Sequence, residues 1–215
     1  MQIQAVGLSH HYRGAEASAL LELSHTFEEG TLTVVSGPSG SGKSTLLYLL
    51  ALMLTPSLGS IRWGDQDVQA LEDTERSELR AKHVGFVFQD AVLDLSSSAL
   101  DNVTEAGWLA GMTRVESETK ASELLEKFGI GAKARFRPGE VSGGQAQRIA
   151  LCRALVKSPS IIFADEPTGN LDSDSADVVW RALEDAATEE GATVIVATHD
   201  KQRTKRMPNQ LRLVS

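Results

Sequence analysis

The stretch TLTVVSGPSGSGKSTLLYLL, Thr31 to Leu50, decides the fold. Thr31–Gly37 is a short β-branched run that ends in glycine, which is the character of a buried strand. From Lys43 the chain is apolar almost all round, with no breaker before Thr55-Pro56, and reads as a buried helix. Between the two, Gly37-Pro38-Ser39-Gly40-Ser41-Gly42-Lys43-Ser44 fits the phosphate-loop pattern at every position. Its glycines turn backbone N–H groups toward the phosphates of a nucleotide, Lys43 supplies a point charge, and the Ser44 hydroxyl suits Mg2+. With Thr45 closing the stretch, Gly37 through Thr45 form a candidate phosphate site. A Gly/Ser-rich surface turn would not combine this glycine spacing with the lysine, the hydroxyl, the preceding strand and the following helix.

Working outward, HVGFVFQ (His83–Gln89), SIIFADE (Ser160–Glu166) and TVIVATHD (Thr193–Asp200) are further apolar runs of parallel-strand type. DSDSADVVWRALEDAATEEG lies between the last two. It has acidic caps, Val179, Leu183 and Ala186 on one face, and Gly191 as a stop, so it predicts a surface helix. Strands alternating with helices imply a parallel sheet with right-handed crossovers. The first thirty residues, with Ile3, Ala5, Leu21, Leu23 and Phe27, predict a small antiparallel sheet. From about Asp90 to Lys157 the texture turns helical. MTRVESETKASELLEKFG carries a Thr113/Glu116 capping box with Gly129 as terminator, and SGGQAQRIALCRALVKSP places Ile149, Cys152 and Val156 on one face. The expectation is α/β: a phosphate-loop NTPase (RecA-like) core with a mainly parallel sheet, a small N-terminal antiparallel β subdomain and an inserted α-helical subdomain. It forms one domain over 1–215, with the core in 1–89 and 158–215 and the helical subdomain over about 90–157.

Composition narrows the function. A formal net charge of −8 argues against a nucleic-acid partner, because a strongly basic surface is absent on average. Cys152 is the only cysteine, so an internal disulfide is excluded; its apolar helical setting suggests a small core residue in a reducing compartment. The start MQIQAVGLSHHYRG lacks a basic-then-apolar leader, and the longest apolar run, Leu46–Leu54, is far shorter than the roughly 20 residues a membrane helix needs. A soluble, cytoplasmic chain is expected, with any membrane passage made by another chain.

The candidate chemistry gathers at strand ends. Asp165-Glu166 closes IIFA, where α/β sheets bind ligands. Asp165 is the expected Mg2+ partner of Ser44, and Glu166 is placed to hold and deprotonate the attacking water. His199 follows TVIVAT and could reach the γ-phosphate; a lone loop histidine commonly has no such role, which is how His10, His11, His25 and His83 read. Gln89 ends VGFVF at the boundary of the helical insertion, and its amide could touch Mg2+ or the water. Tyr12 could stack on a base near the nucleotide entrance or be an ordinary half-buried tyrosine. A second helix start, Ser142-Gly143-Gly144-Gln145, also favours anions. The phosphate loop already wraps the phosphates from one side, so this start is expected to cap the nucleotide of a second copy, in an isologous homodimer holding two nucleotides.

Taken together, GPSGSGKST, VFQD, VSGGQAQR, IIFADEPTGNLD and ATHD, in this order and spacing, resemble the nucleotide-binding subunit of an ABC transporter over essentially the whole chain. The resemblance implies an ATPase that uses ATP and Mg2+, with Tyr12 as the adenine-stacking aromatic and Gln89 as the Q-loop residue coupling to a membrane subunit. It also makes Ser142–Gln145 the signature, Asp172 the D-loop aspartate and His199 the switch histidine. DEPTGNLD with GFVFQ looks most like the branch serving lipoprotein release, macrolide and peptide export, haem export and cell division. Two departures stand out: Val141 replaces the usual signature leucine, and DAVLDLSSSALDNV (Asp90–Val103) differs from that branch's usual continuation, where the membrane partner docks. The short tail beyond His199 implies that no regulatory domain is appended. The implied partners are a second copy of the chain when ATP is bound and integral permease subunits docked near Gln89 and the helical subdomain, at the cytoplasmic face of the cell membrane. The competing class is a soluble ABC-type ATPase acting on nucleic acid or the ribosome. The short Gln89–Ser142 spacing, the single domain and the acidic balance disfavour it. A phosphate-loop kinase would leave VSGGQ unexplained.

Overall fold

The computed structural model of the chain describes residues 1–14 and 18–214. Its elements in order are β1 (Ile3–His10), β2 (Leu20–Phe27), β3 (Leu32–Ser36), α1 (Lys43–Leu50), β4 (Leu58–Trp63), β5 (Gln66–Asp67), α2 (Asp73–His83), β6 (Val84–Val87), α3 (Ala99–Leu109), α4 (Arg114–Lys127), α5 (Gly143–Leu155), β7 (Ile161–Asp165), α6 (Ser173–Thr188), β8 (Thr193–Ala197), α7 (Lys201–Arg206) and β9 (Asn209–Arg212).

The four apolar runs become β3, β6, β7 and β8 in one parallel sheet of order β6-β7-β8-β3-β9. Parallel pairing brings the carboxyl ends of these strands to one edge. Gln89, Asp165-Glu166, His199 and the phosphate loop all follow such an end, so the sheet assembles them without contact in sequence.

Period-2 alternation sorts the strand side chains onto two faces. Val34, Val87, Ile162, Ala164, Val194 and Val196 pack with α5, α6 and the helical segment. Val35, Phe86, Ile161, Phe163, Ile195 and Ala197 pack with α1 and with the antiparallel sheet, of order β2-β1-β4-β5. The helix carrying the phosphate loop and the helix carrying the second glycine-rich start therefore lie on opposite faces of one sheet.

Between Gln89 and Ser142 the described structure is helical, as expected. Thr113 caps α4 and closes its box with Glu116, a contribution of about 1 kcal/mol. Gly129 ends the turn after α4 at φ 71°. Cys152 is fully buried, and burial pushes its thiol up to about 12. Val141, in place of leucine, still packs on the core.

Several elements differ from expectation. α1 stops at Leu50 although the apolar run continues, because Leu52 adopts φ 58° and the chain turns there. The antiparallel sheet draws half its strands from beyond the phosphate loop, since β1 pairs with β4 as well as β2. The parallel sheet has a fifth strand, β9, beside β3. α2 is an additional helix, polar on nearly every side, with only Arg76 buried. Among the described residues, no helix is long and apolar enough to cross a membrane.

Candidate functional site

The phosphate loop links β3 to α1 by a turn that only glycine fits. Gly42 caps α1 in the left-handed region at φ 86°, and a Cβ there would stand 2.1 Å from the Ala19 carbonyl oxygen. No side chain caps the first turn of α1, so its backbone N–H groups face the loop without a side-chain partner. Lys43 spans the loop, its Nζ donating to the carbonyls of Gly37 and Pro38, both at 3.0 Å. Ser41 is buried with an unpartnered Oγ. A cleft of about 660 Å3 opens beside Gly37, Pro38 and Ser39. His199 and the basic Lys201, Lys205 and Arg212 also line it.

Asp165, at the end of β7, is buried. The Tyr48 hydroxyl donates to its Oδ2 at 3.3 Å, and the Ser44 hydroxyl bonds it as well. Burial raises its pKa, and neighbouring Glu166 adds to the rise. The two hydroxyl bonds and the Lys43 charge oppose it. A desolvated carboxylate beside a serine hydroxyl is a hard oxygen pair that suits Mg2+, which takes one carboxylate and completes its octahedron with water and phosphate oxygens. Bound there, Mg2+ would neutralise developing phosphate charge, with Ser44 and Asp165 as its protein ligands. Gln89, expected to touch the metal or the water, is exposed, and its amide nitrogen lies near Gly169, in the turn after Glu166.

Glu166 follows directly, and its backbone is unusual. It is a non-glycine residue at φ 46°, held by its N–H donating to the Ala197 carbonyl of β8 at 2.9 Å. Such conformations cost roughly 1–3 kcal/mol and persist only where the surroundings enforce them. Its carboxylate accepts from His199 Nδ1 at 2.9 Å and from the His199 backbone N–H at 3.3 Å. Glu166 is mostly covered while the His199 ring is 74% exposed. The structure thus joins the candidate base and the candidate switch histidine in one pair, with His199 on the solvent side.

Tyr12 reaches the first turn of α1, where its hydroxyl lies 3.1 Å from Thr45 Oγ1. Its ring packs edge-on against His10 and remains 41% exposed. Thr45 itself is buried and engaged by that contact.

The second helix start is built differently. Ser142 caps α5, its Oγ accepting from Gln145 N–H at 3.3 Å while Gln145 Oε1 accepts from Ser142 N–H at 3.0 Å. Ser142 and Gly143 are exposed. Gly144 allows close approach to α6: a Cβ would stand 2.7 Å from Ser175 Oγ and 3.7 Å from Asp172 Oδ2. Asp172 caps α6 by accepting from Ser175 N–H, and that bond holds its carboxyl below its usual range.

Sequence reading missed two residues here. Tyr48 lies four positions after Ser44, on the same helix face, and that spacing could have revealed it. Gln147, buried on α5, bonds the backbone beside Gln89 and beside Glu166; nothing in its neighbourhood distinguishes it from a solvated glutamine.

Comparison with known proteins agrees with this geometry. A family model described as ABC transporter matches residues 20–169. The lipoprotein-releasing system ATP-binding protein LolD of Myxococcus xanthus (strain DK1622) is 38% identical over 213 residues, 99% of this chain and 95% of that protein. The uncharacterized ABC transporter ATP-binding protein YbbA of Escherichia coli (strain K12) is 40% identical over 212 residues, 99% and 91% of the two chains. Among solved structures, dimeric MJ0796, a bacterial ABC transporter cassette, superposes with a TM-score of 0.91 at 33% identity, covering 98% of this chain and 94% of that one. A post-hydrolysis dimer of the same cassette bound to ADP and Pi gives 0.91 at 32% identity, with the same coverage. A family match over most of the chain, relatives this similar along nearly their whole length, and a shared fold lead to one conclusion: the chain belongs to the ABC transporter family, as an ATP-binding subunit that hydrolyses ATP.

Proposed function

We propose that two copies of the chain enclose two Mg·ATP, and that each ATP is cradled by Gly37–Thr45 of one copy and capped by Ser142–Gln145 of the other. The single observation that carries this is the placement of α1 and α5 on opposite faces of the parallel sheet. The exposed Ser142 start cannot share a nucleotide with the phosphate loop of its own chain. It needs a second chain, and the dimeric cassettes of the same fold supply the precedent.

Within each site Lys43 would leave its loop carbonyls for the phosphates, and Ser44 with Asp165 would hold the metal, whose charge would neutralise that of the phosphates. Glu166 orients the attacking water and accepts its proton, while His199, already hydrogen-bonded to Glu166, stands on the γ-phosphate side. Tyr12 offers its exposed ring to the adenine, and Asp172 sits beside the signature start at the shared face.

The permease docks on the segment after Gln89. Val92 and Leu95 are exposed there, and a groove of about 250 Å3 is lined by Phe88, Val92, Ala106 and Arg153. Closure on ATP and opening after hydrolysis move this segment at the cytoplasmic membrane face. Because relatives along nearly the whole chain carry the lipoprotein-releasing name, we place the cargo among amphiphilic molecules extracted from or exported across a membrane, lipoprotein first.

Complementation tests the shared site. Lys43→Ala disables the cradle and Ser142→Arg disables the cap, so each variant alone is inactive. Mixed one to one, they form heterodimers with one intact site, and a substantial fraction of wild-type turnover returns. A mixture as inactive as its components contradicts the shared site.

A further inference from the structure

Within the stretch VSGGQAQR, one polar side chain with no role assigned above is buried where apolar packing would be the simpler choice. Gln147 lies on α5, two residues past the signature start, and is 3% exposed. Its amide nitrogen donates to the Phe88 carbonyl at 2.7 Å and to the Pro167 carbonyl at 3.1 Å. Phe88 immediately precedes Gln89, and Pro167 immediately follows Glu166. One amide group thus ties the signature helix to both loops that hold the candidate hydrolytic residues.

The grip continues along the same helix. Arg153 donates to the carbonyls of Val92 at 2.6 Å and Ala91 at 3.0 Å. α5 therefore holds the Gln89 loop on both sides, at Phe88 and at Ala91–Val92. Two residues beside these anchors, Glu166 and Val92, are non-glycine residues in the left-handed region, each at φ 46°. Backbone of that kind relaxes unless fixed from outside. At its N-terminal end α5 is also seated on α6 through the close approach of Gly144 to Ser175.

We infer that Gln147 is a positioning residue for hydrolysis: it fixes Gln89 and Glu166 to the signature helix, so that a displacement of Ser142–Gln145 reaches both. This rests on the reading of Glu166 and Gln89 given above. It adds a direction of coupling: engagement of α5 by the neighbour's nucleotide sets the geometry of the chain's own hydrolytic site. Carbonyl satisfaction alone would make Gln147 a stability residue; positioning makes it a rate residue, because misplacing a reacting group by about 1 Å can cost on the order of a hundredfold in rate.

The test is steady-state ATP hydrolysis by the full chain carrying Gln147→Met, which keeps volume and removes both donors. Tight Mg·ATP binding, thermal melting and amide exchange are measured on the same sample. The expected result is a kcat lowered about tenfold or more, with KM and ATP affinity within about twofold of wild type. Exchange should be faster at Gln89–Val92 and Glu166–Gly169, and the melting temperature should fall by several degrees while the protein stays folded at the assay temperature. Gln147→His keeps a ring N–H donor and should recover part of the rate; it also serves if the methionine variant does not fold. An unchanged kcat, a kcat loss matched by a loss of folded protein, or equal loss in the histidine and methionine variants would overturn the inference. Glu166→Gln is assayed in parallel: if it hydrolyses ATP at the wild-type rate, the reading of Glu166 fails separately, whatever Gln147 does.

Discussion

α1 and α5 both begin on glycine-rich leads, yet their first turns are finished in different ways. Gly42 caps α1 with left-handed backbone and no side chain, leaving the N–H groups of the first turn open beside Lys43. Ser142 caps α5 from extended backbone and closes a reciprocal box with Gln145, so that start satisfies part of its own hydrogen-bonding capacity. The first start is incomplete without an anion. The second is already stable and exposed, with hydroxyl and glycine backbone facing outward. A helix that needs phosphate and a helix that merely accepts it are suited to the cradle and the cap of one joint site.

This contrast can be broken most sharply at the chemistry. Glu166→Gln keeps the shape of the carboxylate but cannot take a proton. Turnover should fall by roughly 10²–10⁴-fold with Mg·ATP affinity retained, as read by phosphate release and equilibrium binding. The next largest effect concerns the two glycine-rich leads themselves. Gly42→Ala forces a Cβ against the Ala19 carbonyl in left-handed backbone and should cost about 2–4 kcal/mol, seen as a melting temperature lower by roughly 5–15 °C. Gly143→Ala, where a Cβ meets nothing, should melt with the wild type.

A smaller effect separates cap from cradle. Ser142→Ala removes the α5 cap, costs about 1 kcal/mol in denaturant unfolding, and leaves Mg·ATP binding to the single chain unchanged. Its hydrolysis should drop, since the cap acts only in the joint site.

The smallest effect lies at the far end of α5, away from both sites. Burial lowers Lys157 from 10.5 to about 8, although its Nζ donates to the carbonyls of Arg80 and Ala81 at the end of α2. Between pH 8 and 10.5 the unfolded chain binds the extra proton, so stability rises with pH across that window. Those two carbonyl bonds favour the charged form and limit the gain to about 1 kcal/mol. Between pH 8 and pH 10 the change in urea stability should be more favourable in the wild type than in Lys157→Met by about 1 kcal/mol, because the raised Cys152 thiol acts in the opposite direction above pH 9 in both chains alike.

The parallel sheet was legible because its strands are buried on both faces and read as continuous apolar runs. β3, β6, β7 and β8 each fall within the stretches read from sequence. α2 was not legible: DTERSELRAKH has no apolar stripe, and its start is set by a Glu72/Glu75 capping box in which the cap is a glutamate. β9, NQLR, has no strand pattern and exists because β3 offers it a parallel edge. The candidate site divides the same way. The residues proposed to act through motif chemistry were legible from type and spacing. Gln147 acts through two backbone carbonyls far away in sequence, and no local pattern announces such a bond. Gln89 was expected to touch the metal or the water; its side chain lies near Gly169, in the turn after Glu166.

Light scattering of the Glu166→Gln chain saturated with Mg·ATP measures the joint site most directly. A particle of twice the 23.1 kDa chain mass is expected, returning to the single-chain mass when Ser142→Arg is added to the same chain. Single chains at saturating nucleotide, or a dimer indifferent to Ser142→Arg, would contradict the joint site.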